Sequence, residues 1–328
     1  MLDIRVAIKC LLAEMQDRMS RGLGRTLREA TKDLLHGVFR LGQRVGFDIL
    51  PRHFYSSIPD LRELSTYDGW KAPSAMVGVA GTDTTAQLAF LRDCCRSLDF
   101  MRYAVHARAC EKNGEEGYGL IESDVLFAFI IRHLPARIIQ VGAGVSTAII
   151  LHAAEVAGYE PEILCIDPYP TRFLTRSAAS GAIRLIARKV QDVDIGQLTL
   201  LNPGGLLFID STHAVRPGGD VNYLMLEVLP MLPAGAWVHF HDIYFPYDYP
   251  PSLFKTLFFG AESTLLQAFL ACNPRYAIVL SLSMLHHRRQ TELQELLPSY
   301  QPLPMDHGLS RKMAKGHFPS AAYLRVIA

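Results

Sequence analysis

Acidic and imidazole side chains recur where the apolar runs of this sequence stop. WVHF at 237–240 leads into His241 and Asp242, and GLLFI at 205–209 leads into Asp210, with His213 three residues on. EILCI at 162–166 leads into Asp167. An imidazole, whose pKa lies near neutrality, can take a proton from a hydroxyl as a new bond forms. Carboxylates beside it can orient the ring or hold a divalent cation, and a hard ion such as Mg²⁺ favours their oxygens. In a strand His239 and His241 share a face while Phe240 points oppositely. His239, deeper in the run, is expected to be a hydrogen-bonded core residue; His241, at its end, is a candidate for the site.

The elements that must carry these groups are legible in the texture of the chain. After Glu111 a glycine loop, KNGEEGYGL, precedes SDVLFAFIIRHL, read as a helix with Ser123 as N-cap. ARIIQVGAG then runs from β-branched residues into glycines. Strand candidates follow at 162–167, 182–190, 205–210, 237–242, 276–282 and 321–327, with helical stretches such as STAIILHAAEVAG, NYLMLEVLPML and STLLQAFLACN between them. Continuous apolar strands separated by helices predict a parallel sheet buried on both faces. Ligands bind along the carboxyl edge of such a sheet. Asp167, Asp210 and Asp242 would all stand on that edge, where a polar group is useful rather than costly.

Upstream, residues 1 to about 45 read as helical and basic (Arg18, Arg21, Arg25, Arg28, Lys32). A stretch of this kind can lie on a membrane, but an oligomerisation arm or a solvated helix face is the expected reading. FDILPRHFYSSIPDL, 47–61, is too broken by proline and serine to be regular, and 84–107 returns to helix. The chain is therefore divided into an N-terminal helical arm and cap, 1–115, and a ligand-binding domain, 116–328.

Composition bounds the function. The 328 residues are 49% hydrophobic with a net charge of +1, ample for a large core. No basic stripe follows aromatic positions, so no nucleic-acid partner is expected; HHRR at 286–289 reads as a solvated loop. No apolar run reaches the roughly 20 residues of a membrane helix, and no signal peptide is recognisable. The six cysteines form no C-x-x-C pair, which fits a reduced, cytoplasmic protein.

IIQVGAGVSTAII reads as strand, G-x-G turn and helix, a nucleotide-loop pattern. Position 147 is threonine, so the third glycine of the G-x-G-x-x-G fingerprint is missing. Gly142, Ala143, Gly144, Ser146 and Thr147 instead resemble the loop of class I S-adenosylmethionine-dependent methyltransferases, with Gln140 and Ser146 departing from its usual acid and last glycine. Asp167, about 20 residues on, can accept both ribose hydroxyls. Gln191 and Asp192 follow the third strand, where adenine is commonly held in this fold.

The segment FIDSTHAVRPGGDVNYLMLEVLPMLPAGAWVHFHDIYFPYDYP is similar to a family of bacterial class I methyltransferases, many encoded among polysaccharide or secondary-metabolite genes. PRHFYSSIPDL and LLQAFLACNPRY belong to the same pattern. A more distant likeness is to macrolide-sugar O-methyltransferases and cephalosporin-hydroxylase-like proteins, whose Asp-x-x-His element Asp210–His213 reproduces. The resemblance implies a Rossmann-like, mostly parallel seven-stranded sheet with the last strand antiparallel, and an N-terminal helical cap. It implies S-adenosylmethionine as cofactor, with Asp210 at its pocket; from its placement in the glycine loop, Tyr118 is expected to close over it. It also implies Mg²⁺ on Asp210 and Asp242, although His241 replaces one carboxylate of the family's pair. Position and resemblance together make His213 the expected general base, with His241 and Asp242 as catalytic partners, for O-methylation of a hydroxyl on a sugar or secondary metabolite. N-methylation of a small amine, an NAD-dependent oxidoreductase and a catalytically silent binding protein are the alternatives. Tyr244, Tyr247 and Tyr249 could form a wall for a small-molecule acceptor or pack their own loop, and Tyr55 could reach the substrate side.

Overall fold

The computed structural model describes residues 24–327, with side chains from residue 29. Arg18, Arg21 and Cys10 lie outside the described residues. The chain divides into two compact units, 1–59 and 60–328. In the described part of the first, helix Gly24–Arg44 is followed by irregular chain. The expected boundary at 115/116 does not coincide with this division. Helices Thr84–Cys94 and Val105–Asn113 contribute Leu88, Leu91, Val105 and Ala109 to the core that also covers the sheet, so 60–115 belongs to the larger unit.

Seven strands form the sheet: β1 Arg137–Val141, β2 Glu162–Ile166, β3 Arg184–Ile186, β4 Leu206–Ile209, β5 Trp237–Phe240, β6 Tyr276–Ser281 and β7 Ala322–Val326. Their order is β3-β2-β1-β4-β5-β7-β6. β1 to β5 pair in parallel, and β7 runs antiparallel between β5 and β6. This is the Rossmann-like sheet the sequence predicts. Alternate residues feed two cores. Ile138, Ile163, Leu206 and Phe208 face the helices Leu120–His133 and Val145–Ala157, whereas Ile139, Leu164, Leu207 and Val238 face Val221–Leu232 and Leu266. Burial on both faces explains why these strands read as continuous apolar runs.

Register aligns the carboxyl ends. Val141 pairs with both Ile166 and Ile209, and Ile209 pairs with Phe240. The ladder continues one residue further, since Gly142 N–H donates to Ile166 O, Asp210 N–H to Val141 O and His241 N–H to Ile209 O. Gly142, Asp167, Asp210 and His241 thus stand along one rim.

Several local expectations are corrected. The helix after the glycine loop begins at Leu120 with Gly119 as N-cap, and the Ser123 hydroxyl donates back to Gly119 O instead of capping. The 84–107 helix stops at Cys94, and Asp99 caps a new turn. β3 shrinks to three residues because it pairs on one side only and its chain then turns into the rim. HHRR is not a loop: His286 is fully buried in helix Leu282–Arg288 and shares a hydrogen bond with Tyr300 Oη. Among the described residues no helix is long and apolar enough to cross a membrane.

Candidate functional site

Beside the rim of β1, β2 and β4 lies a cavity of about 560 Å³, lined by Gly142, Asp167, Gln191, Asp210, Thr212 and Asp220 among others. That is the size of an ordinary small-ligand site. Gly142 has φ 79°, and a Cβ there would overlap the backbone carbonyl of Asp210. Only glycine lets β1 turn this close to the end of β4. The Asp167 carboxylate accepts N–H bonds from Ala143 (3.1 Å) and Tyr169 (2.7 Å), tying the glycine turn to β2. Gln191 donates to Gly218 O through Nε2, while its Oε1 is buried without a partner. An orphaned acceptor of this kind calls for a ligand donor, and an adenine amino group is one.

Other residues expected at a cofactor turn away from the cavity. Ser146 and Thr147 are buried in the first turn of helix Val145–Ala157, where Ser146 Oγ accepts from Gln140 Nε2 and Thr147 Oγ1 accepts from Gly144 N–H. They brace the turn from inside. Neither Ala143, Gly144 nor Asp192 lines the cavity. Tyr118 lies in the core, its hydroxyl 3.1 Å from Nε2 of His239, because the chain around it is pulled inward by the following buried helix. His239 is fully buried, stacks on Phe208 and has its pKa driven well below the usual value by burial. Residues missed by sequence reasoning, Tyr169, Lys189, Arg216 and Asp220, also line the cavity. Asp220 holds the loop after β4 by accepting from Thr212 N–H and Oγ1.

Asp210 closes one end of the cavity and opens a second arrangement. Its Oδ1 lies 3.5 Å from His213 Nε2 and 3.3 Å from His241 Nδ1. Asp242 Oδ2 is 3.7 Å and 3.8 Å from the same nitrogens. The predicted catalytic residues His213, His241 and Asp242 are thus brought together with Asp210. His213 and Asp242 adopt left-handed backbone, φ 57° and 55°, a strained conformation that tends to mark functional sites. Behind His213 stands Glu262, 2% exposed, with Oε2 only 2.6 Å from Nδ1 and Oε1 accepting from Ser211. Glu262 begins a helix 49 residues further on. Nothing in its local sequence separates it from an ordinary first-turn acid. Ser320 donates from Oγ to Asp242 Oδ1 and from N–H to the buried Glu122.

Charge follows from this packing. Burial alone would lower the His213 pKa, but hydrogen bonds to Asp210 and Glu262 outweigh it and push the ring up to about 11. His241, likewise opposed by burial, is raised to about 9 by Asp210 and Asp242. Burial works against the Asp210 carboxylate, yet the two imidazoles hold it well below the usual range. His213 is thus engaged by Glu262 at Nδ1 and faces Asp210 and Asp242 with Nε2.

The magnesium expectation meets a different donor set. Among the described residues, the side chains close enough to share one ion are Asp210, His213 and His241, with ligand atoms within 4.8 Å of one another. Mg²⁺ demands octahedral oxygen ligation, and a site with two imidazole nitrogens does not fit it. The tyrosine loop also takes its packing role at two positions. The Tyr249 hydroxyl donates to the His307 carbonyl at 2.8 Å, with the Lys71 carbonyl 3.3 Å away, and Tyr247 packs against Tyr249 and His287. Tyr55 is 81% exposed within the first unit.

Residues 139–243 match a family model described as a methyltransferase domain. An uncharacterised protein of Archaeoglobus fulgidus is 28% identical over 183 residues, covering 52% of this chain and 81% of that protein. Among solved structures the chain is similar to the O-methyltransferase TomG of Streptomyces achromogenes, involved in tomaymycin synthesis. That likeness is 14% identical, covers 70% of this chain and 92% of the other, and has a TM-score of 0.40. The Podospora anserina methyltransferase PaMTH1 is 13% identical over 86% of this chain and 99% of its own, with a TM-score of 0.38.

Proposed function

We propose that this chain, whose residues 139–243 match a methyltransferase-domain model, is a class I S-adenosylmethionine-dependent methyltransferase that methylates a hydroxyl of a small-molecule acceptor, a sugar or secondary metabolite. The observation that carries this reading is the double position of Asp210, which lines the cavity and also touches His213 and His241. The cofactor supplies a sulfonium whose methyl group is open to in-line displacement. The chain must hold the acceptor oxygen about 3 Å from that carbon, aligned and free of competing water.

Each part of the rim has a role in this reading. Asp167, at the end of β2, is positioned for ribose hydroxyls, and the orphaned Gln191 Oε1 for adenine. A hydroxyl is a poor nucleophile unless its proton leaves as the carbon–oxygen bond forms. We assign the handling of that proton to the group of Asp210, His213, His241 and Asp242 rather than to one free ring, because both imidazoles face the same two carboxylates at 3.3–3.8 Å. His213 contributes Nε2, the ring nitrogen that Glu262 does not occupy.

Asp167→Ala removes a charged acceptor from the ribose end. It is expected to weaken S-adenosylmethionine binding by about 10–100-fold, the value of a hydrogen bond to a charged group, read by calorimetry. Unchanged affinity would take Asp167 out of the cofactor site. The reaction itself is tested by incubating the chain with methyl-labelled cofactor and metabolite extracts, followed by mass spectrometry. Label on an acceptor oxygen is expected. Label on nitrogen would replace the hydroxyl by an amine, and binding of NAD alone would reject the class.

A further inference from the structure

We propose that the cluster at the ends of β4 and β5 binds one divalent transition-metal ion through Asp210 Oδ1, His213 Nε2 and His241 Nδ1, with Asp242 Oδ2 beside it. The site stands whether or not the acceptor is a hydroxyl; only its use in the reaction rests on the reading above.

Geometry is the first support. An ion about 2.0–2.2 Å from nitrogen and oxygen ligands requires donors about 3–3.5 Å apart. Asp210 Oδ1 lies 3.5 Å and 3.3 Å from the two nitrogens, and Asp242 Oδ2 lies 3.7 Å and 3.8 Å from them. The Asp210, His213 and His241 ligand atoms all lie within 4.8 Å of one another, so side-chain rotation would bring them onto one ion.

An independent support is the state of His241. The residue is 9% exposed, and its buried Nδ1 lies 3.3 Å from Asp210 and 3.8 Å from Asp242 without completing a well-aligned hydrogen bond. A ring nitrogen left so in a protein interior is costly, and this one is aimed at Asp210. A metal ion is a partner that fits it.

The surroundings match what metal ligands need. His213 is held through Nδ1 by the buried Glu262, leaving Nε2 to face Asp210 and Asp242. A carboxylate behind a ligating histidine sets its tautomer and orientation. Ser320 takes one oxygen of Asp242 and leaves the other toward the imidazoles. Two imidazoles with a carboxylate select first-row transition ions, such as Zn²⁺, Co²⁺, Fe²⁺ or Mn²⁺, over Mg²⁺ and Ca²⁺. Bound there, such an ion would act as a Lewis acid toward an acceptor oxygen next to the cofactor cavity.

The test reads binding without turnover. The full chain, stripped with a chelator and dialysed, is titrated with Co²⁺, Zn²⁺ and Mg²⁺ by calorimetry, and Co²⁺ ligation is followed in the visible spectrum. One equivalent of Co²⁺ or Zn²⁺ is expected, bound more tightly than Mg²⁺, with a rise in melting temperature. His241→Asn and, separately, His213→Gln are each expected to weaken Zn²⁺ by at least about 100-fold, and Glu262→Gln by about 10–100-fold. Circular dichroism establishes that each variant is folded, and the wild-type titration decides the matter if one is not. Absence of stoichiometric Co²⁺ or Zn²⁺ binding to the wild-type chain would overturn the proposal. So would Mg²⁺ binding more tightly, or His241→Asn and His213→Gln folded with unchanged affinity. Since neither cofactor nor acceptor is present, a failed methyl-transfer assay leaves this result standing, and the reverse also holds.

Discussion

His213→Ala is expected to lower turnover by about 10²–10⁴-fold, the usual contribution of a proton-handling group, while calorimetric affinity for S-adenosylmethionine stays unchanged. The split follows from where the ring lies. His213 is not part of the cavity wall, but its Nε2 faces Asp210 and Asp242 at the cavity's end. Truncation also strips Glu262, 2% exposed, of its imidazole partner. Breaking such a buried pair costs about 3–5 kcal/mol, and the stranded carboxyl takes up a proton in response, as burial favours. His213→Gln separates chemistry from stability, since an amide can still donate to Glu262 but offers no ring nitrogen. The same loss of turnover with a smaller loss of stability is expected, measured by labelled-methyl transfer and by denaturant midpoint. Turnover at the wild-type rate in either variant would remove His213 from the chemistry.

Gly142→Ala is the second large effect. Its Cβ would overlap the Asp210 carbonyl, and φ is 79°. Left-handed strain of about 1–2 kcal/mol adds to overpacking of about 1–3 kcal/mol, so a loss of about 2–5 kcal/mol is expected. Cofactor binding should fall as well, because the atom that must move belongs to Asp210, which lines the cavity. Gly158→Ala serves as the control. It has φ 68° with open space where the Cβ would go, so it should cost only the backbone strain and leave the cofactor bound. Equal losses in the two variants would show that the close approach of β1 to β4 is unimportant.

How much of this was legible beforehand depends on the range of the interaction involved. The apolar runs at 137–141, 162–166 and 206–209 are strands because burial on both faces demands such residues. Parallel pairing then brings their ends level, which is why Asp167, Asp210 and Asp242 could be assigned to one rim before any coordinates. The G-x-G turn was equally readable, since a short-range backbone requirement writes itself into residue type. Orientation was not. Ser146 and Thr147 face inward because both sides of helix Val145–Ala157 are covered, and Tyr118 is drawn under the sheet edge to His239.

Convergence across long separations was settled by packing alone. Glu262 reaches His213 from 49 residues away and Ser320 reaches Asp242 from 78. Each looks ordinary among its own neighbours in the sequence. The ion-binding character of the cluster has the same origin. Residue type supplied acids and imidazoles, but only the parallel pairing of β4 with β5 and the path of the loop after β4 set two ring nitrogens beside one carboxylate oxygen. Local composition determines which elements form and what chemistry they carry. The three-dimensional arrangement decides which of those groups share a proton, a ligand or an ion, because those energies depend on distances that no local pattern encodes.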